Sequence, residues 1–266
     1  MKNDTILLDD IGIAVLSTDR PHCLLSFLNS VEQNSNKTKV IVIDDSKNCD
    51  KTHEVSNRFN FTTFIHTGNR LGIAKNTNHA LDALSKFEYK IIFNNDVIIK
   101  KQGWEFLYPL SIKKTGIHCF SYRQLGLWGA CKDGGSGKRP DKRWVHKSED
   151  GSCTTIATVE EQPQGAIIAF DKLAFETVGY YDIKFESYGY SHHFWCKMIG
   201  MSGIQPEGYH DLPYSNEYFE VKDEPCTTPT GERIKYYAIN KEIFKQEVAK
   251  VKSKVRGYYT PKKTIP

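Results

Sequence analysis

Four short apolar runs, each closed by a polar cluster and separated by helix-like stretches, set the strongest limit on what this chain can fold into. The runs are Ile11 to Leu16, Lys39 to Ile43, Phe61 to His66 and Tyr89 to Phe93. They are short, rich in β-branched residues and nearly continuous in apolar character, the pattern of parallel strands buried on both faces. Pro21 suits the first turn of a helix that starts at Asp19 or Arg20, and Leu24, Leu25, Phe27, Leu28 and Val31 give it an apolar face. A more polar helix is expected around Thr52 to Arg58, and another from Gly72 to Leu84 that buries Ala74, Ala80, Leu81 and Leu84. Strand–helix–strand repetition specifies an α/β fold with a mostly parallel central sheet and flanking helices. In such sheets ligands bind beyond the carboxyl ends of the strands. Ser17-Thr18-Asp19, Asp44-Asp45, Asn69-Arg70 and Asn94-Asn95-Asp96 all fall at those ends, so they are expected to form one site.

Several functional classes are excluded or disfavoured. No glycine-rich GxGxxG turn follows the first strand, and no GxxxxGK[ST] occurs, which argues against a dinucleotide dehydrogenase and a P-loop enzyme. The cysteines at 23, 49, 119, 131, 153, 196 and 226 form no CxxC pair and read as buried or free thiols. No apolar run is long enough to cross a bilayer, and the first residues lack a secretory apolar core, so a cytoplasmic protein is expected.

The second half is less regular. Lys132 to Lys147, rich in Gly, Lys and Arg, reads as a mobile loop. Pro163 to Phe170 reads as a strand, Lys172 to Val178 and Ser191 to Ile199 as helices, and Asn240 to Val255 as an amphipathic helix. The net charge of +4 is uneven: residues 231–266 carry ten Lys/Arg against three Asp/Glu, leaving −3 for the rest. A basic tail on a slightly acidic body suggests an anionic partner, with a solvated helix face as the alternative.

The ordered motifs resemble glycosyltransferase family 2. Ile13-Ala14-Val15-Leu16-Ser17-Thr18-Asp19-Arg20-Pro21 resembles the family's opening strand and turn, and Val40-Ile41-Val42-Ile43-Asp44-Asp45-Ser46 its "VVDDGS" strand end. Gly68-Asn69-Arg70-Leu71-Gly72-Ile73-Ala74-Lys75-Asn76 resembles the segment that follows, with Lys75 where Arg is usual. Phe93-Asn94-Asn95-Asp96-Val97 resembles the "DxD" element in an "NND" form, and the stretch from Gln164-Gly165 to Gly189-Tyr190 resembles the acceptor half. The match spans roughly residues 11 to 215. It implies a Rossmann-like GT-A fold with a smaller acceptor-side sheet and a helical basic C-terminal tail. The GT-A domain would cover 1–215, with a nucleotide-sugar half at 1–100 and an acceptor half at 101–215, and the extension would cover 216–266.

The same resemblance implies a metal-dependent inverting transfer of sugar from a nucleotide sugar, UDP- or dTDP-linked by preference, to an acceptor hydroxyl. Hard cations such as Mn²⁺ or Mg²⁺ take oxygen ligands and share them with phosphates. Asp96 is the expected protein ligand, with a turn-capping role as the alternative, and Asn94 is too weak a donor to be a direct one. His210, in a late segment like the one that completes many family metal sites, is the expected second ligand. Ser17, Thr18, Asp19, Asp44, Asp45, Lys75, Asn76 and Asn95 are expected around the nucleotide; Asp45 and Ser46 also suit helix capping.

The family's acidic pair after "yG" is replaced by Ser191 and His192. His192 is therefore the candidate base, with Glu186 as another carboxylate source and a structural His192-His193 pair as the alternative. The acceptor class implied is a glycan or lipid-linked sugar. The basic segments also admit an anionic acceptor, including hydroxylated nucleic-acid bases, or peripheral attachment to a membrane. A nucleotide-sugar-binding module without turnover is the competing function.

Overall fold

The computed structural model describes residues 5–35, 38–122, 144–147, 154–158, 165–185, 188–222 and 228–258. The first half alternates as the sequence pattern requires. It runs β1 (Ile11–Ser17), α1 (Pro21–Asn34), β2 (Val40–Asp44), α2 (Asp50–Ser56), β3 (Thr62–His66), α3 (Ile73–Ala83) and β4 (Tyr89–Asn94). A short β5 (Val97–Ile99) and α4 (Trp104–Thr115) follow, then β6 (Cys119–Ser121), β7 (Trp144–Lys147), β8 (Thr154–Thr158) and β9 (Ile167–Asp171). The chain continues through α5 (Lys172–Val178), α6 (Ser191–Ser202), β10 (Tyr209–Asp211), α7 (Ser215–Tyr218), β11 (Phe219–Val221) and α8 (Thr230–Tyr258).

Nine strands form one sheet in the order β3-β2-β1-β4-β9-β6-β10-β8-β7, and β5 pairs with β11 in a separate two-stranded sheet. The four strands read from the first half lie side by side and parallel, while β9 runs antiparallel between β4 and β6. Period-two alternation along β1 divides the core. Ile11, Ile13 and Val15 pack with α1 and α4 residues on one face; Ala14 packs with α3, α5 and α6 residues on the other. Gly12 faces that second layer where no side chain fits: a Cβ there would lie 2.4 Å from Phe87 Cδ2 and 2.9 Å from Leu84 Cδ2.

Three features differ from the sequence reading. The Lys132–Lys147 segment ends in a strand, β7, because Trp144 to Lys147 pair antiparallel with β8; residues 132–143 lie outside the described residues. Helix α4 was not foreseen. Its buried positions, among them Trp104, Glu105, Leu107, Tyr108 and Ile112, surround most of the helix and leave little polar stripe, and Pro109 sits inside it. Residues after 215 complete α7 and enter β11, whose Phe219 is buried among Phe93, Trp104, Tyr108 and Tyr122, so this part of the chain is built into the core before α8 starts.

Candidate active site

The parallel registers bring the strand ends level. Ser17 pairs with Asp44, Asp44 with His66, and Leu16 with Asn94, so the four polar clusters share one edge of the sheet. Two residues other than glycine there hold the left-handed conformation, Asp19 (φ 49°) and Arg70 (φ 48°), and they form an ion pair at 2.8 Å. Positive φ at such residues persists only where the surroundings over-determine it, and it clusters at functional sites. Here Asp19 is fixed further by its N–H to Ser46 Oγ (2.7 Å) and by the Lys47 N–H to its Oδ1 (3.0 Å).

Beside this pair, Asp44 and Asp45 are buried and mostly satisfied within the protein. Asp44 accepts from Ser46 Oγ (2.7 Å) and Ser46 N (3.2 Å) and lies 3.3 Å from His66 Nδ1. Asp45 accepts from the Thr18 hydroxyl and from Gly72 N (3.3 Å). Burial raises the Asp45 pKa above the usual carboxylate value, an effect that the Thr18 and Gly72 hydrogen bonds oppose. Asn76 is buried as well and accepts from Thr67 Oγ1 at 3.1 Å, whereas Lys75, one position earlier on α3, is exposed. Asn76 thus locks the turn after β3, and Lys75 is the member of that pair open to a ligand.

At the end of β4, Asn95 is buried and Asp96 partly so. Arg20, which the sequence reading used only to mark the start of α1, reaches both. Its Nη2 donates to Asn95 Oδ1 at 2.9 Å, and its Nη1 lies 3.6 Å from Asp96 Oδ2. Strand β11 completes the surroundings, with the Lys222 N–H donating to the Asp96 carbonyl at 2.8 Å. Lys222 is exposed and was not singled out from the sequence.

His192, on the first turn of α6, is partly exposed and reaches the same edge through Gly165 and Ala166. The Ala166 carbonyl accepts from Asn94 N (2.8 Å), and a Cβ on Gly165 would lie 3.5 Å from the His192 ring. Its Nδ1 is 3.0 Å from the Tyr181 hydroxyl and its Nε2 3.2 Å from Ser121 Oγ. Burial pushes the Tyr181 pKa well up, so its O–H stays protonated and can donate to Nδ1. His193 faces elsewhere, stacked on Tyr190 and Phe244 and edge-on to Tyr209. Burial, helped by His192 and Lys197, pushes its pKa down to about 3, so it is a neutral packing residue at ordinary pH. Glu186 lies outside the described residues.

The structure does not bring His210 to Asp96. His210 pairs with Phe120, Phe120 with Ala169 and Ala169 with Ile91, which puts it level with the middle of β4 and three strands away. At the usual strand spacing that is ~14 Å sideways alone. Its ring Nε2 lies 3.2 Å from the Pro206 carbonyl.

Residues 13–123 match the family model described as glycosyl transferase family 2. That segment, less than half of the chain, is similar to glycosyltransferase family 2. No curated protein sequence matches it. The fold is shared with three solved structures. One is the mannosyltransferase PcManGT from Pyrobaculum calidifontis in complex with GDP-Man and Mn²⁺, with a TM-score of 0.53 and 16% identity over 73% of this chain and 52% of that one. A second is GalNAc-T7 with UDP, GalNAc and Mn²⁺, with a TM-score of 0.54 and 13% identity over 76% and 42% of the two chains. The third is S. aureus TarS, with a TM-score of 0.51 and 13% identity over 75% and 36%. The chain therefore spans about half or less of the length of these relatives.

The similarity to family 2 implies a divalent cation at the β4 end. Among the described residues no three His, Cys, Asp or Glu side chains converge to cage one. Among the described residues Asp96 is the carboxylate at that strand end, and the Asn95 carbonyl is turned to Arg20. That donor set fits an ion which takes most of its oxygens from a substrate diphosphate, as hard cations commonly do.

Proposed function

We propose that this chain is a family 2 glycosyltransferase that transfers a sugar from a nucleotide-sugar donor to an acceptor hydroxyl with inversion at the anomeric carbon. The observation that carries this reading is the single edge on which Asp19, Asp45, Arg20, Asn95 and Asp96 meet, within a segment that matches the family. A UDP- or dTDP-sugar would lie across the ends of β1, β2 and β4, its nucleoside toward Thr18, Asp19, Asp44 and Asp45 and its diphosphate toward Asp96 and Lys75. A bound Mn²⁺ or Mg²⁺ would supply charge neutralisation to the departing diphosphate. The acceptor oxygen forms the new bond to the anomeric carbon as the bond from that carbon to the diphosphate oxygen breaks, and the bonding electron pair leaves with the nucleoside diphosphate. His192 takes the acceptor proton on Nε2, giving up its contact with Ser121, while Tyr181 holds the ring in place.

A glycan or lipid-linked sugar is the acceptor class we favour. The basic C-terminal stretch would draw an anionic one. Among the described residues no helix is long and apolar enough to cross a membrane.

A donor-binding module without turnover is the second reading, favoured by the engagement of both His192 ring nitrogens within the fold. One experiment separates the two: a panel of nucleotide sugars with Mn²⁺, read by thermal shift and by release of nucleoside diphosphate. Binding with release that falls at least tenfold in His192→Ala supports the enzyme. Tight binding with no release, with or without glycan acceptors, supports the module, and no binding at all removes both.

A further inference from the structure

We propose that Arg20 is a fixed cation of the donor site, which opposes a metal ion arriving alone and admits it only together with the donor's diphosphate. The proposal rests on the donor-site reading above and assigns a role to a residue which that reading does not need.

The geometry is a two-way clasp. The Arg20 guanidinium donates to Asn95 Oδ1 (2.9 Å), and the Asn95 amide lies 3.5 Å from the Arg20 carbonyl as its donor. The same carbonyl accepts the Cys23 and Leu24 amides (3.1 and 3.2 Å) and so opens α1, with Pro21 fixing the first turn. The side chain is only 18% exposed, and its Nε is buried with no hydrogen-bond partner among the described residues. Backbone, side chain and helix start are therefore tied together, so the positive charge is held 3.6 Å from Asp96 Oδ2 rather than swinging in solvent.

The consequence is electrostatic. A divalent ion approaching the Asp96 carboxylate meets a unit charge that is held in place, in surroundings less polar than water. A diphosphate reverses the sign: it neutralises both cations, and a guanidinium suits its oxygens in fork geometry. Metal and nucleotide then raise each other's affinity through one shared coupling, which is reciprocal.

The test measures Mn²⁺ binding from the loss of the free-ion paramagnetic resonance signal, and UDP and GDP binding by calorimetry, each alone and together. The chains compared are wild type, Arg20→Met, Arg20→Lys and Asp96→Ala. Arg20→Met is expected to bind Mn²⁺ alone on the order of tenfold more tightly than wild type and metal-free nucleotide on the order of tenfold more weakly, the size of a unit charge at short range in a partly polar site. Arg20→Lys keeps the charge but not the fork, so it should match wild type toward Mn²⁺ and still bind nucleotide more weakly. If Arg20→Met fails to fold, the Arg20→Lys pair of results decides.

Unchanged Mn²⁺ affinity in Arg20→Met, shifts of both ligands in the same direction, or an Arg20→Lys chain that gains Mn²⁺ affinity would each overturn the proposal. A different result would strike the donor-site reading itself: wild type and Asp96→Ala that bind Mn²⁺ and nucleotide identically in every combination.

Discussion

Phe219 is where the core and the candidate site can be tested by one substitution. It is 1% exposed, stacks on Tyr108 at 5.9 Å and 7°, and meets Phe93, Trp104 and Tyr122 edge-on. Phe219→Ala removes a buried ring from a cluster whose other members are held on β4, on α4 and just after β6, and cannot all collapse inward. A buried Phe→Ala change costs ~3–5 kcal/mol, and the surrounding rings place this one near the middle of that range, about 4 kcal/mol. Against a domain stability of ~5–15 kcal/mol that is a large loss. Urea unfolding measures it, and Phe219→Leu, which keeps most of the volume, should lose only about 1–2 kcal/mol. The local readout is amide exchange. Because β11 holds the Lys222 N–H on the Asp96 carbonyl, that amide should lose protection in Phe219→Ala before the amides of β1 do. A loss below about 1.5 kcal/mol, or an unchanged Lys222 amide, would refute the account of β11 as the strap that holds the β4 end.

Three further outcomes follow from the packing and the titrating groups. Gly12→Ala should destabilise by ~1–3 kcal/mol in thermal or urea unfolding, because its Cβ would press on Phe87 and Leu84; a neutral effect would mean that this layer is looser than described. His193→Phe should change stability by less than ~1 kcal/mol and leave turnover intact, since the ring is a neutral packing group with a buried Nδ1 that has no partner among the described residues; lost turnover would move the chemistry from His192 to its neighbour. His118, 2.6 Å from Asp171, has its pKa raised by that hydrogen bond, so its contribution is complete below the unfolded value of ~6.5 and fades as pH rises through the folded one. The stability gap between wild type and His118→Gln should therefore be widest near pH 5.5 and narrow by pH 8.5, and a gap that widens with pH would contradict the pairing.

The parallel half of the fold was legible because buried parallel strands leave a local mark: continuous apolar runs that end in polar clusters. Boundaries moved by one or two residues, as at Val40–Asp44 and Asp50–Ser56. What lay hidden depends on contacts distant in sequence. Arg20 and Asn95 are 75 positions apart, and nothing local to either announces that one grips the other. Helix α4 escaped because it is buried around most of its circumference, and β5 and β11 because three-residue strands carry no periodicity. The adjacent His192 and His193 show the limit for a site: a step of one residue on α6 separates a ring beside Gly165 from one inside an aromatic cluster. His210 was expected from its place in a motif, yet strand order carries it three strands from β4.

The most direct test of the central claim is calorimetric titration of UDP, GDP and dTDP, with and without Mn²⁺, into wild type and Asp96→Ala. The account predicts that at least one nucleotide binds wild type more tightly when Mn²⁺ is present, and that Asp96→Ala abolishes this gain while leaving metal-free binding no weaker than in wild type. Binding of none of the three to wild type, or a gain from Mn²⁺ that survives Asp96→Ala unchanged, would contradict it.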